Sequence, residues 1–235
     1  MTIPEHIKPL DSGVRIAIIP ARGGSKRLPR KNILPVGGQP MLNHPIRAAL
    51  DTGLFDRVVV STEDPEIAAA AQEAGACVLE RPPSLAQDTS TVAQVCLHAL
   101  EYYPAREFCC IYATAVLLRP ETLRNAYGVL DVFPQADYVL GVSGYNYPPV
   151  QALKADENGF LSYMWPEFRG KQSQTYPNLC VSNGTFVWAR SEVFIREKIF
   201  YGTRLRGYPV PDDQVLDIDV PEDYETLLKI FSACR

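Results

Sequence analysis

The sequence predicts a doubly wound α/β fold built on a mostly parallel sheet, and three observations carry that expectation. Short β-branched apolar runs alternate with helical stretches from Arg15 onwards. Glycine, proline or a capping residue punctuates most of the junctions between them. A glycine- and cation-rich loop opens directly after the first apolar run. Strand–helix–strand alternation implies parallel neighbours joined by right-handed crossovers. Ligands of such sheets sit beyond the carboxyl ends of the strands.

Residues 1–13 are polar without a clear period and read as a loose tail. Arg15-Ile16-Ala17-Ile18-Ile19-Pro20 has the pattern of a short buried strand. The loop from Ala21 to Lys31 follows, then a helix from about Pro40 to Asp51 ended by Gly53. Arg57 to Ser61 is the second strand. Asp64-Pro65-Glu66 then supplies a cap, a proline at the first helical position and an acid in the first turn. The alanine-rich helix that it starts stops before Gly75, and a strand at Ala76 to Leu79 follows. The rhythm continues with a helix at Thr91 to Tyr102, a strand at Glu107 to Tyr112, a helix at Glu121 to Val132 and a strand at Asp137 to Val142. These elements make a core over 14–144. From 145 to 206 proline and aromatic residues dominate, with one strand at Gly184 to Ala189, and the segment reads as a lid or dimerisation lobe. Residues 207–235 return to the core through a strand at Leu216-Asp217-Ile218-Asp219 and a helix whose first turn is Pro221-Glu222-Asp223.

Composition excludes several classes of function. Hydrophobic content of 46% with 21% charge belongs to a globular chain. A net charge of −4 argues against broad nucleic-acid binding, which needs a basic surface. No apolar run approaches the roughly 20 residues that cross a bilayer, and the N-terminus lacks the pattern of a secretion signal. The expectation is a cytoplasmic protein with no nucleic-acid or membrane partner. Six cysteines show no C-x-x-C spacing, and the adjacent Cys109 and Cys110 should point to opposite faces of a strand. They read as buried reduced thiols, and the three histidines show no zinc spacing.

Charge is distributed unevenly. Between Val14 and Leu50 there is no acid, yet seven cations fall there; between Pro211 and Glu225 there is no cation, yet seven acids do. One end suits anions and the other cations, as a metal–triphosphate substrate would require; a solvated acidic face is the alternative. In the loop Ala21-Arg22-Gly23-Gly24-Ser25-Lys26-Arg27-Leu28-Pro29-Arg30-Lys31-Asn32, two glycines permit close backbone approach and anion cradling. It is neither a Walker loop nor G-x-G-x-x-G, and a basic solvent loop is the competing reading. Asp217 and Asp219, at i and i+2, share one face of an extended segment, and their hard oxygens suit Mg²⁺; an exposed strand end would look the same.

Residues Ile16 to Asn32 resemble the nucleotide loop of the sugar-acid cytidylyltransferases: the acylneuraminate, pseudaminate and, more distantly, Kdo enzymes. The likeness continues through Phe55 to Thr62, through Glu80-Arg81-Pro82-Pro83 with Asp88-Thr89-Ser90, and through Leu216 to Asp223. The resemblance implies a nucleotide-diphospho-sugar transferase-like, Rossmann-like fold and a homodimer whose lobe reaches over the neighbour's site. It also implies nucleotidyl transfer from CTP to an acidic nine-carbon sugar. Arg22, Lys26 and Lys31 would contact the triphosphate, with backbone donors from Gly23, Gly24 and Ser25, and Ala21 would also lie in the nucleotide site. Asn32, Arg81, Asp88 and Ser90 would surround the cytidine. Asp217 and Asp219 would bind Mg²⁺, with Mn²⁺ as a substitute, and would form the catalytic set with Arg22 and Lys31. Tyr112, Gln151, Lys171, Gln172 and Asn183 would face the sugar. Segments such as Tyr147-Pro148-Pro149-Val150-Gln151 and Gly184-Thr185-Phe186-Val187-Trp188 look more like the pseudaminate enzymes than the sialate ones. Ala113 and Val116 stand where the family commonly has prolines. No arginine near Gln172 is in register for the sugar carboxylate, which leaves Lys171 or Arg169 to serve.

Overall fold

A computed structural model describes residues 13–233; residues 1–12 of the expected tail and Cys234 lie outside the described residues. The chain enters through β1 (Arg15–Pro20) and a small hairpin of β2 (Pro35–Val36) and β3 (Gln39–Pro40). It continues through α1 (Asn43–Leu50), β4 (Arg57–Thr62), α2 (Pro65–Glu73), β5 (Cys77–Glu80) and α3 (Val92–Tyr102). Then come β6 (Glu107–Ile111), α4 (Pro120–Val132) and β7 (Tyr138–Gly144). A second small hairpin, β8 (Leu153–Ala155) and β9 (Leu161–Tyr163), precedes the long β10 (Cys180–Arg190). The chain closes through α5 (Ser191–Glu197), β11 (Leu205–Pro209) and α6 (Pro221–Ala233).

Seven strands form one sheet in the order β5-β4-β1-β6-β10-β7-β11. Only β10 runs against its neighbours, so the carboxyl ends of the other six share one edge. Alternation along β1 decides what each face buries. Ala17 and Ile19 pack with α1, α2 and α4, whereas Ile16 and Ile18 pack with α3 and α5. Cys109 and Cys110 divide between the same two faces, as strand geometry requires. Helix starts follow local chemistry. Asp64 accepts the Glu66 and Ile67 N–H groups at 2.9 and 3.1 Å to start α2, and Thr91 with Gln94 forms a capping box on α3. α4 lacks a cap of its own, and the buried Gln214 supplies one from 95 residues away: its Oε1 accepts the Arg119 N–H at 3.0 Å. No helix among the described residues is long and apolar enough to cross a membrane.

Three sequence expectations need correction. Residues 216–219 form no strand and pair with none. Their backbone is engaged elsewhere: the Ile218 carbonyl accepts from Lys31, and the Asp219 and Val220 N–H groups donate to Asp223 at 2.8 and 3.0 Å. The sheet edge is instead β11, an exposed strand whose Arg206, Gly207 and Pro209 hid it from an apolar-pattern search. Finally, the excursion is shorter than 145–206, because β10 and α5 lie inside that range and belong to the sheet and its core.

Trp188 ties β10 to α4. It is fully buried, stacks on Phe55 at 5.0 Å and donates its indole N–H to the Leu123 carbonyl at 3.2 Å. Trp188→Ala should therefore destabilise the fold by about 3–5 kcal/mol; urea unfolding with an unchanged m-value checks this.

Candidate active site

The basic loop leaves β1 at the carboxyl edge of the sheet, and its first residue is held in line by the Ala21 N–H, which donates to the Ser61 carbonyl at 3.0 Å. An acidic turn after β4 then grips the loop. Glu63 Oε1 accepts the Gly23 N–H at 2.7 Å, while Asp64 and Glu66 both pair with Arg30. Arg30 adopts φ 58°, a left-handed conformation that costs an L-residue roughly 1–2 kcal/mol. The two carboxylates stabilise that turn. Gly23 has no room for a side chain, because a Cβ there would overlap the Asp64 carboxylate. Asn32, almost fully buried, donates from its amide to the Arg22 carbonyl at 2.9 Å and closes the loop on itself.

Four loop cations face two carboxylates. Asp88 takes Lys26 on one oxygen and Arg22 on the other, the latter at 2.8 Å. Lys26 first and Arg22 second hold the Asp88 carboxyl below its ordinary range. Asp219 takes Lys31 at 3.1 Å and Arg27 at 2.6 Å. Burial alone would raise the Asp219 pKa, but the Lys31 and Arg27 charges outweigh burial and lower it. Lys31 also donates to the Ile218 carbonyl at 2.8 Å.

The acidic segment is positioned by an apolar residue. Ile218 is fully buried in a third cluster with Leu28, Met41, Val116 and Leu227, so Asp217 and Asp219 on either side of it turn towards the cleft. No hydrogen bond or ion pair reaches the exposed Asp217 among the described residues. Two hard carboxylates on one wall, one of them unengaged, fit a magnesium-type cation.

Three adjoining clefts run along this edge. The first is lined by Arg22, Arg81, Gln87, Asp88 and Ser90. The second, of about 200 Å³, is lined by Arg22, Ser25, Lys26, Arg27, Lys31 and Asn32. The third, of about 580 Å³, is lined by Tyr112, Thr114, Ser143, Asn183, Asp217 and Tyr201. Arg22 is common to the first two, and Lys31, Tyr112, Thr114 and Asp219 are common to the last two. A β-bulge brings Asn183 to the third. The β10–β7 register shifts between Ser182 and Val187, and the Asn183 amide donates to Ser143 Oγ at 3.1 Å. Burial raises the Tyr112 phenol pKa, so it remains protonated at neutral pH.

The family model described as Cytidylyltransferase matches residues 16–144. This chain belongs to the cytidylyltransferase family. It is 33% identical over 217 residues to a pseudaminic acid cytidylyltransferase of Campylobacter jejuni subsp. jejuni serotype O:2, covering 89% of this chain and 93% of that one. It is 31% identical over 215 residues to an N-acylneuraminate cytidylyltransferase of Streptococcus agalactiae serotype V, covering 89% of this chain and 51% of that one. Its fold is similar to the solved structure of CMP:2-keto-3-deoxy-manno-octonic acid synthetase complexed with CTP. That match has a TM-score of 0.72 at 15% identity and covers 94% of this chain and all of that one. The doubly wound, nucleotidyltransferase-like architecture expected from the sequence is thus the observed one.

Within this cytidylyltransferase fold, the basic loop, Arg81, Asp88 and Ser90 meet at one edge with Asp217, Asp219, Tyr112 and Asn183. Two expected phosphate donors are engaged within the protein. The Gly23 N–H goes to Glu63, and the Ser25 N–H goes to the Gly23 carbonyl at 3.0 Å, because the loop tightens into a turn there. Gln151, Lys171 and Gln172 line none of the three clefts. They lie exposed on the segment between β7 and β10, where the Gln151 amide donates to the Tyr176 hydroxyl and Lys171 sits over the Phe168 ring. Sequence reasoning passed over Arg27, Glu63, Thr114, Ser143 and Tyr201 as site residues. Thr114 and Ser143 lie at or just past the carboxyl ends of β6 and β7, so strand position was the available signal.

Asp88 competes with any phosphate for Arg22 and Lys26. Asp88→Asn should tighten binding of pyrophosphate about two- to fivefold, and isothermal titration at fixed salt measures it.

Proposed function

We infer that this chain couples CTP to the anomeric hydroxyl of an acidic nine-carbon sugar, with pseudaminic acid first and sialic or legionaminic acid next. One observation carries the reading: a pocket around Arg81, a cation-lined cleft and a wider polar cleft adjoin in that order along the sheet edge. They correspond in order to a base, a triphosphate and a sugar. The sugar oxygen bonds to the α-phosphorus as the bond to the β-phosphate oxygen breaks; the hydroxyl proton leaves to solvent and pyrophosphate departs. Family membership supports the cytidylyl donor, and the pseudaminic acid relative covered nearly end to end supports the order of sugars.

The residues work by charge and position rather than by covalent attachment. Arg22 and Lys26 exchange Asp88 for phosphate oxygens, and Lys31 and Arg27 exchange Asp219 for them. Asp217 and Asp219 would hold Mg²⁺, which neutralises phosphate charge in such reactions. We assign the exposed apolar side chains of the segment between β7 and β10 to a homodimer interface; Tyr147 is 86% and Phe160 74% exposed. In that dimer Gln151, Lys171 and Gln172 reach the partner's sugar cleft.

Pyrophosphate release from CTP with a panel of nonulosonic acids tests the reading, and equal turnover of ATP or GTP would sink it. Asp219→Asn should cost about tenfold to a hundredfold in rate, or about 1.4–2.7 kcal/mol, and extra Mg²⁺ should partly restore it. EDTA should silence the wild type until Mg²⁺ is returned; indifference to EDTA removes the metal from the proposal. Lys171→Ala should raise the KM for the sugar while leaving that for CTP within about twofold.

A further inference from the structure

Glu63 lies in none of the three clefts, yet it touches the machinery of two of them. Its Oε1 takes the Gly23 N–H at 2.7 Å and so fixes the loop that carries Arg22 and Lys26. Its Oε2 is buried, has no hydrogen-bond partner, and lies 4.0 Å from Nη1 of Arg81. Arg81 is itself 4% exposed. Its Nη2 donates to the Ser61 carbonyl at 2.6 Å and its Nε to the Ser61 hydroxyl at 3.3 Å. No hydrogen bond from Nη1 is found among the described residues, so this nitrogen is the one left for whatever enters the Arg81 pocket. Burial disfavours the Arg81 charge, and Glu63 is the foremost group that opposes this effect.

A carboxylate with an unsatisfied buried oxygen is expensive to keep. It also sits behind a site that we read as taking a polyanion, which makes it still less favourable there. Packing does not require it, because a neutral amide has the same shape. Its charge is what distinguishes it, and that charge faces the one free nitrogen of Arg81.

We propose that Glu63 is a positioning residue for nucleotide binding: one carboxylate sets the phosphate loop through Gly23 and aims the free Nη1 of Arg81 into the adjoining pocket. The proposal rests on the reading that these clefts take CTP. Glu63 acts through Gly23 and Arg81 and touches no reacting atom, so its effect falls on nucleotide binding and not on the chemical step.

The test compares wild type, Glu63→Gln and Glu63→Asp in steady-state assays with Mg²⁺, varying CTP at saturating sugar and sugar at saturating CTP, alongside thermal melts. Glu63→Gln keeps an acceptor for Gly23 but removes the charge beside Arg81. It should raise the KM for CTP about tenfold, leave kcat and the sugar KM within about twofold, and narrow the preference for CTP over UTP. Its Tm should stay within a few degrees of wild type. Glu63→Asp, which restores the charge, should recover part of the CTP affinity. An unchanged KM for CTP in Glu63→Gln overturns the proposal, as does a parallel fall of kcat and Tm, which marks a merely structural role. A wild type that does not turn over CTP at all would overturn the underlying reading, a result distinct from either.

Discussion

The pair that this architecture depends on is Lys31 with the Ile218–Asp219 backbone and side chain, joined across 188 residues. Neither partner belongs to a strand. Lys31 opens a single 3-10 turn at the end of the basic loop and Asp219 lies on an unpaired segment, and a loop rich in like charges has little reason to stay compact by itself. What holds the two together is the small apolar cluster beneath them, where Leu28 from the basic loop meets Ile218 from the acidic one and Leu227 of α6. The two loop residues are flanked by charge: Arg27 beside Leu28, and the two aspartates around Ile218. The hydrophobic effect, non-directional and proportional to area, thus does the positioning, and the charges above it are free to be exchanged for ligand.

The same logic explains what was legible beforehand. The strands β1, β4, β5, β6 and β7 announce themselves by short apolar runs, β-branched in β1 and β4, and the helices by caps such as Asp64 and Thr91, because local chemistry fixes them. The basic loop and the two aspartates were visible as charge blocks. Glu63 was not, since its role comes from Gly23, 40 positions away, and from a packed Arg81. β11 was invisible because an exposed edge strand needs no apolar face. The paired-strand reading of 216–219 failed because alternation says nothing about whether a neighbouring strand takes up the backbone hydrogen bonds; here Lys31 donates to the Ile218 carbonyl and Asp223 accepts the Asp219 N–H instead. Gln151, Lys171 and Gln172 were expected at the sugar, but the segment that carries them holds them exposed and away from the three clefts, which no local pattern reveals.

Electrostatic self-neutralisation is the second theme of the site. Four cations and two carboxylates form a closed set before any substrate arrives. Ion pairs at this degree of exposure are weak individually. They are strong enough to keep long side chains ordered, yet cheap to exchange for a phosphate that offers more charge and better hydrogen-bond geometry. The turn that follows β4 behaves differently. Glu63 there holds the Gly23 N–H, and Asp64 and Glu66 hold the guanidinium of the left-handed Arg30, so these acids keep the loop in one conformation while the four cations change partners.

The segment between β7 and β10 leaves and rejoins the sheet at neighbouring points, since Gly144 and Cys180 are paired across the two strands. Whatever lies between them is a cassette on a closed stem. Lengthening such a loop costs only about 0.6 kcal/mol per doubling, and shortening it returns a hairpin that the ladder already supports. This piece can therefore be exchanged wholesale, while the strands that carry the three clefts stay untouched.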